Sequence, residues 1–510
     1  MPYADLREFI AFLEKKGDLI RVKKEVSPHL EITEILNRLL ANNGPAILFE
    51  NVTGSSMPVL ANLYGTMGRV ALGLDTDEAG LLEVGAFLAF LQRPEPPKGF
   101  IDAVKHLPFY SRILHLSPKR TSSAVCQEVV LQGNQIDLNR FPILHCWPDD
   151  AAPQITWPLV ITKQPDADGK YNVGIYRMQK IDKTTTIMRW LHHRGGASHW
   201  RAWMREGKVM PVAVALGCDP AMTIAAVTPV PEAIGEFHFA GLLRQKPVEL
   251  TRCKTVDLDV PATSEIVMEG EIHPGEMADE GPHGDHTGFY NSVEPFPIFR
   301  ITCITHRRNP IYLTTVTGRP PREDAIIGLA LNRIFLPMLR QHFPEIIDFH
   351  LPMEACSYRV AVVAIKKEYP GHAKRVMMGI WGVLKQFLYV KWIIIVDADI
   401  DVRKWDDLVW AISTQVDPVR DTVTLSNTPI DYLDFASPES GLGSKMGIDA
   451  TTKIGTETTR AWGKRIMMDQ DVVKKVDTFW NEMGLSAGTG FKPALVDTIF
   501  QAPRDLKKTQ

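Results

Sequence analysis

Glu280 and Asp285 stand either side of Gly281, Pro282 and Gly284, inside a twenty-residue stretch, 271–290, that reads EIHPGEMADEGPHGDHTGFY. It holds five acids (Glu271, Glu276, Asp279, Glu280 and Asp285), three histidines and four glycines. Glycine and proline at this density argue against a helix and for a shaped loop. Two carboxylates brought close by such a loop perturb one another's pKa, which is what proton transfer requires. A solvated acidic turn fits the same letters, and the stretch alone leaves both readings open.

Two further places combine chemistry-bearing residue types. Asn172-Val-Gly-Ile-Tyr-Arg177 reads as strand. Alternation sends Asn172, Gly174 and Tyr176 to one face and Val173, Ile175 and Arg177 to the other. Its neighbour, Met188-Arg-Trp-Leu-His-His-Arg-Gly-Gly196, ends in a turn whose backbone N–H groups, with Arg189 and Arg194, suit a phosphate. A β-hairpin with surface arginines is the plainer alternative. Glu236 falls on an expected helix, residues 232–245, beside Phe237 and Phe239, where facing water is the commoner arrangement. Asn172, His193 and Glu236 together would offer two oxygens and one nitrogen. That set suits Mn2+ or Mg2+ with phosphate oxygens completing the shell, and suits zinc poorly. Their spacing alone does not define a metal site.

The elements that must position these groups follow from length and pattern. At 510 residues the chain is too long for one core, and roughly 100–200 residues per domain suggests about three. With 57 basic and 60 acidic residues the net charge is −3, and the basic residues are scattered, so nothing points to nucleic acid. Six cysteines without a CxxC fit reduced thiols in a cytosolic protein. The first residues carry charges and no signal-peptide core, and no apolar run approaches 18 residues.

Residues 1–115 read as a small α/β unit. It opens with a helix of apolar stripe Leu6, Phe9, Ile10 and Leu13 ending at Gly17, and closes with a buried helix at 81–91 and the connector RPEPPKGF. From 116 to 321 short β-runs dominate, among them TWPLVITKQ, YNVGIYRMQKI, TTTIMRWL, VMPVAVALG and IYLTTVTG, as in a barrel-like sheet. From 322 to 510 a long amphipathic helix at 323–342 is followed by βαβα alternation and a partly parallel sheet. Residues 437–463, rich in Gly, Ser and Thr, read as an extended arm.

The segments NVGIYRMQ, MRWLHHRGGA, EGPHGDHTGFYN, TGRPP and AGLLR, with the tail DYLDFASPESGLGSKMGIDAT, resemble the UbiD family of prenylated-flavin-dependent decarboxylases. The resemblance covers nearly the whole chain and points within the family to its ubiquinone branch. It implies an N-terminal α/β domain, a central FMN-binding split β-barrel and a C-terminal α/β oligomerisation domain with an extended tail, assembled as a homo-oligomer, a hexamer in that branch. It also implies prenylated FMN, supplied by a separate flavin prenyltransferase, and Mn2+, with a monovalent cation such as K+ as a further candidate. Asn172, His193 and Glu236 match the metal ligands. Ile175, Tyr176, Arg177, Arg189, Trp190, Leu191, Arg194 and Gly195 match the segments that line the flavin. Arg177 and Glu280 match the arginine and first glutamate of the catalytic trio, and Asp285 stands where the second glutamate is usual, as the ubiquinone branch is expected to have it.

The implied reaction is decarboxylation of 3-polyprenyl-4-hydroxybenzoate to 2-polyprenylphenol, with the flavin as electron sink. Asp285 would deliver the proton that replaces the carboxylate, and Arg177, paired with Glu280, would orient the substrate carboxylate. A polyprenyl substrate implies a cytoplasmic protein held peripherally on the inner face of the cell membrane. The competing readings are a (de)carboxylase of a soluble hydroxyarylic acid, an ordinary flavin oxidoreductase and a non-catalytic oligomeric scaffold.

Overall fold

The computed structural model describes residues 3–92, 117–166, 170–192, 194–228, 234–356, 358–383 and 385–483. The connector RPEPPKGF lies outside them. The chain divides into two compact units, Met1–Met338 and Leu339–Gln510.

In the first unit the helix Leu6–Lys16 buries Leu6, Phe9, Ile10 and Leu13, the stripe its helical spacing predicts. The Asp5 side chain accepts the Glu8 N–H at 3.0 Å at one end, and Gly17 at φ 78° closes the other. A four-stranded sheet follows, in the order Leu19–Val22, Ala46–Phe49, Val59–Ala61 and Tyr312–Leu313. The last strand corrects the expectation that IYLTTVTG belongs to the middle region's sheet: Tyr312 and Leu313 pair in parallel with Val59 and Leu60. Both are buried, and nothing local distinguishes one buried parallel partner from another.

The ten-stranded antiparallel sheet forms the barrel-like layer. Its order is Gln154–Ile155, Met178–Lys180, Thr185–Met188, Glu294–His306, Ile266–Ile272, Met210–Leu216, Leu159–Lys163 and Tyr171–Ile175, with Met277–Glu280 and Val129–Gln132 also pairing on Glu294–His306. The long strand Glu294–His306 is therefore shared by four partners. Its register against Ile266–Ile272 shifts between Glu269 and Gly270, where a Cβ on Gly270 would lie 2.0 Å from the Arg300 carbonyl oxygen. Only glycine permits that approach, and the irregularity bends the strand pair.

YNVGIYRMQKI, expected as one strand, is two: Tyr171–Ile175 and Met178–Lys180, with Tyr176 and Arg177 in the break. The Tyr176 ring folds back over Gly174, where a Cβ would meet its Cζ at 2.6 Å. Simple alternation therefore does not set the direction of Arg177. The helix expected at 232–245 is observed over Glu236–Arg244, residues 229–233 lying outside the described ones. A helix at Pro220–Val227 was not anticipated. It is apolar on every side and so has no amphipathic signature.

The second unit carries a five-stranded sheet in the order Ile346–His350, Val360–Ile365, Trp392–Asp397, Leu442–Ala450 and Thr422–Pro429. The three inner strands are parallel and the two edges antiparallel, as the βαβα pattern leads one to expect. Leu442–Ala450 corrects the reading of 437–463 as an arm. It is an inner strand because its unpromising letters are answered by tertiary partners. Lys445 Nζ donates to the Pro429 carbonyl at 2.9 Å, and at Gly447 a Cβ would meet Met377 Sδ at 2.4 Å. Among the described residues no helix is long and apolar enough to cross a membrane.

Glu323 opens the helix Glu323–His342 and is fully buried, with Oε1 accepting the Tyr64 N–H at 2.8 Å and Oε2 the Thr315 hydroxyl at 2.6 Å. Burial pushes its carboxyl up to about 7. The native state thus holds a proton that the unfolded chain releases above the ordinary carboxylate range. Stability from this group falls by up to about 1.4 kcal/mol per pH unit as pH rises toward about 7. Glu323→Gln keeps the Tyr64 bond through its amide oxygen and reverses the Thr315 bond, its NH2 donating to the hydroxyl, without the charge. It should flatten the Tm–pH profile between about pH 5 and about pH 8 and raise Tm at the alkaline end, as thermal unfolding across that range will show.

Candidate active site

The strand Met277–Glu280 runs antiparallel to Glu294–His306, with Glu280 opposite Glu294, and delivers Glu280 at its end. The chain then turns through Gly281 at φ 95° and a cis Gly281–Pro282 bond. The loop is held by directed bonds: Gly281 N–H to Gln179 Oε1 at 2.8 Å, His283 N–H to Asn291 Oδ1 at 2.8 Å, and Gly284 N–H to Asp150 Oδ1 at 2.9 Å. Gly284 lies flat against an indole, since a Cβ there would be 2.2 Å from Trp147 Cδ1. His283 Nδ1 lies 3.0 Å from Asp150 Oδ2 with both side chains buried. Burial works against an ionised Asp150, but His283 and the N–H groups of Gly284 and Trp147 outweigh it and hold the carboxyl below its usual range.

The solvated-turn reading therefore fails for the centre of the loop. Glu280 is 0% and Asp285 6% exposed. It survives at the rim, where Asp279 is exposed and Glu276 pairs with Arg300 at 2.6 Å.

The break after Tyr171–Ile175 turns Arg177 onto both acids. Its Nε donates to Glu280 Oε1 at 3.0 Å, its Nη1 to Asp285 Oδ2, and its Nη2 to Asn291 Oδ1 at 3.0 Å. Arg189, expected among the residues lining the flavin, reaches the same place, with Nη1 on Glu280 Oε2 at 2.8 Å and its guanidinium 5.6 Å from the Phe296 ring. Asn291 Nδ2 also donates to Glu280 Oε2, at 3.2 Å. Two guanidiniums thus face two carboxylates in a nearly buried cluster. Burial opposes ionisation of Asp285, yet Arg177 and then His286 prevail and hold it well below the ordinary carboxylate range. The acid expected to donate a proton therefore rests as a carboxylate.

Sequence reasoning passed over three supports: Asn291, Asp150 and the second role of Arg189. Asn291 ends the motif EGPHGDHTGFYN, and its amide both accepts from Arg177 and donates to Glu280. Asp150 follows Trp147 in the run WPDD and gives no sign of its distant partner.

A second group forms on the other side of the Arg177 break. Gly195 and Gly196 open the helix Gly195–Arg205, whose N-cap is Arg194. Gly196 N–H donates to the Tyr176 hydroxyl at 3.2 Å, and Asn172 Nδ2 approaches that hydroxyl at 3.4 Å. A Cβ on Gly195 would lie 1.9 Å from Asn172 Oδ1. Glu236, the first residue of its helix, accepts the Val173 N–H at 3.2 Å, so its carboxylate sits beside Asn172. Burial pushes Glu236 up, and backbone N–H groups counter it in part. Trp190 is buried against Gly196, where a Cβ would meet its Nε1 at 2.5 Å, and Ile175 and Leu191 are half-buried nearby in sequence. His193 lies outside the described residues. A buried carboxylate and an amide oxygen side by side are a fitting donor pair for a hard divalent ion. The helix N-terminus and glycines beside them suit a phosphate.

Solved structures share this architecture. The UbiD-class enzyme HmfF from Pelotomaculum thermopropionicum, in complex with FMN, is 31% identical with a TM-score of 0.77, covering 93% of this chain and 99% of its own. An evolved dimeric form of that enzyme, in complex with prFMN, is 30% identical with a TM-score of 0.76, over 93% of this chain and all of its own. Vanillic acid decarboxylase from Sedimentibacter hydroxybenzoicus, in closed form, is 28% identical with a TM-score of 0.81, over 95% of this chain and 99% of its own. The fold and its matches define a carboxy-lyase of the prenylated-FMN-dependent class. Models described as the N-terminal, Rift-related and C-terminal domains of 3-octaprenyl-4-hydroxybenzoate carboxy-lyase match residues 10–88, 118–320 and 325–450. The chain belongs to the UbiD family.

Removing one partner from a buried ion pair leaves an uncompensated charge, at a cost of about 3–5 kcal/mol. Arg189→Met should lower unfolding stability by about that amount, while Asn291→Ala, which strips hydrogen bonds and no charge, should cost about 1–3 kcal/mol. Equilibrium denaturation of the two variants checks the order.

Proposed function

We propose that the enzyme decarboxylates 3-polyprenyl-4-hydroxybenzoate to 2-polyprenylphenol in ubiquinone biosynthesis. The observation that supports this most directly is Arg177 holding Glu280 and Asp285 at once, inside a cluster of zero net charge. An aromatic acid whose carboxylate docks on Arg177 competes with Asp285 for the guanidinium and adds one negative charge. The cluster regains neutrality when Asp285 takes up a proton. Asp285 is thereby loaded as general acid only when substrate is present, and Glu280, fixed by Arg189 and Asn291, keeps Arg177 in place through the exchange. The net change is an aryl carboxylate plus one proton giving the arene and carbon dioxide, with the proton passing from Asp285 to the ring carbon.

Prenylated FMN, when bound, supplies the electron sink for the carbon that loses carbon dioxide. Asn172, His193 and Glu236 would hold Mn2+, and the N-terminus of the helix Gly195–Arg205 with Arg194 would meet the flavin phosphate. Tyr176, Trp190, Leu191 and Ile175 would wall the ring. The aspartate at 285, one methylene shorter than a glutamate, favours the bulkier prenylated ring and so the ubiquinone branch. A flavin prenyltransferase as cofactor supplier, a hexameric assembly through the C-terminal domain, and peripheral attachment to the inner face of the cell membrane complete the proposal.

The test uses protein co-produced with a flavin prenyltransferase. The released flavin should have the mass and visible spectrum of the prenylated form, and the enzyme should release carbon dioxide from 3-prenyl-4-hydroxybenzoate in preference to 4-hydroxybenzoate. Turnover of the unprenylated acid alone would replace this reading with that of a soluble hydroxyarylic acid (de)carboxylase. Asp285→Asn should reduce kcat by about 100-fold or more while retaining the flavin. Substrate binding should take up about one proton per site at neutral pH, measured by calorimetry in buffers of different ionisation enthalpy.

A further inference from the structure

Each turnover of the proposed reaction consumes a proton, and a buried carboxylate must receive it from a neighbour. The two oxygens of Asp285 divide the work. Oδ2 is taken by Arg177 Nη1, while Oδ1 accepts both the backbone N–H of His286 at 2.7 Å and its ring Nδ1 at 2.8 Å. Arg177 touches the acid but does not release its protons at physiological pH. His283 has a fully buried side chain and is engaged with Asp150 and with the Thr317 hydroxyl at 3.3 Å. His286 differs from both: it bonds Asp285 directly, and its side chain keeps 21% exposure against 9% for Asp285.

The charged surroundings favour a transient imidazolium. Asp324, in the first turn of the helix Glu323–His342, acts electrostatically on both His286 and Asp285, with Arg322 adjacent to it. Burial pushes the Asp324 carboxyl up and the His286 charge draws it back. The other charged groups facing the pair are Arg177, and beyond it Glu280, and His283.

We propose that His286 is the relay that recharges Asp285 with a solvent proton, a role that rests on the decarboxylase reading. A hydronium ion or buffer acid protonates Nε2 and leaves as water or the buffer base, and the Nδ1–H bond breaks as the Asp285 Oδ1–H bond forms. The neutral imidazole that remains carries its hydrogen on Nε2 until exchange with solvent or rotation of the ring returns one to Nδ1. No oxidant or further reactant is required. His286 acts through Asp285 and touches neither substrate nor cofactor in this scheme.

His286→Gln preserves a donor to Asp285 and cannot relay. In the flavin-loaded enzyme, single-turnover product formation should slow about 10-fold or more with KM little changed, and added imidazole should restore it while leaving wild type unaffected. In wild type the same rate should carry a limb that falls as pH rises, because the relay works protonated; the variant should lack it. A variant with the wild-type rate and profile overturns the relay, as does a slowed variant that imidazole does not restore. Should the variant not fold, a wild-type rate without any limb that falls as pH rises overturns it instead. Failure of the underlying reading is distinct: wild-type enzyme would then release no carbon dioxide from either acid.

Discussion

Two guanidiniums and two carboxylates share one buried site, and most of what surrounds them serves that balance. Arg177 meets Glu280 and Asp285 together from a break in its strand, and the break comes where Tyr176 folds over Gly174. Glu280 cannot lie at 0% exposure without compensation, and Arg189 and Asn291 supply it from two other segments. A buried ion pair is weak evidence for stability, since its desolvation offsets much of its attraction. Here the arrangement is better understood as poise. One arginine divided between two acids is a site that an incoming carboxylate can rebalance.

The loop from Gly281 to Asn291 shows how backbone chemistry serves that poise. Positive φ at Gly281, the flat contact of Gly284 on Trp147, and the bonds to Gln179, Asp150 and Asn291 fix Asp285 in direction as well as position. Its two oxygens consequently meet different neighbours, the arginine on one and a partly exposed histidine on the other. In the mechanism proposed for Asp285 such a division matters, because an oxygen turned to substrate is not also turned to solvent.

The region around Asn172 and Glu236 is built by another rule. The helix N-terminus at Gly195, the hydroxyl of Tyr176 and the buried Glu236 carboxylate bring backbone N–H groups and hard oxygen donors to one place. Asn172 lies a few residues before Arg177, so this donor group and the buried charge cluster share a single stretch of chain, 172–177. Whatever displaces Asn172 will be felt at Arg177. Structural neighbours that bind FMN or prFMN share this fold at 30–31% identity.

The sequence by itself determined a good deal. Glycine and proline excluded a helix around Glu280, spacing defined Leu6–Lys16 and Glu323–His342, and the segments around Asn172, Arg177 and Asp285 carried the family resemblance. These are local signals, set by φ preferences and by periodicities of two or of about 3.6 residues. Tertiary structure alone decided the partners. It sent Tyr312–Leu313 to the N-terminal sheet, made an inner strand of Leu442–Ala450, turned Arg189 onto Glu280, and joined Asp150 to His283 across the fold. Parallel pairing leaves no nearby turn to read, and a buried charge finds its partner by proximity in space. For the opening pair, the sequence placed two acids in one loop; the fold buried both against a shared arginine and set a partly exposed histidine on one of them.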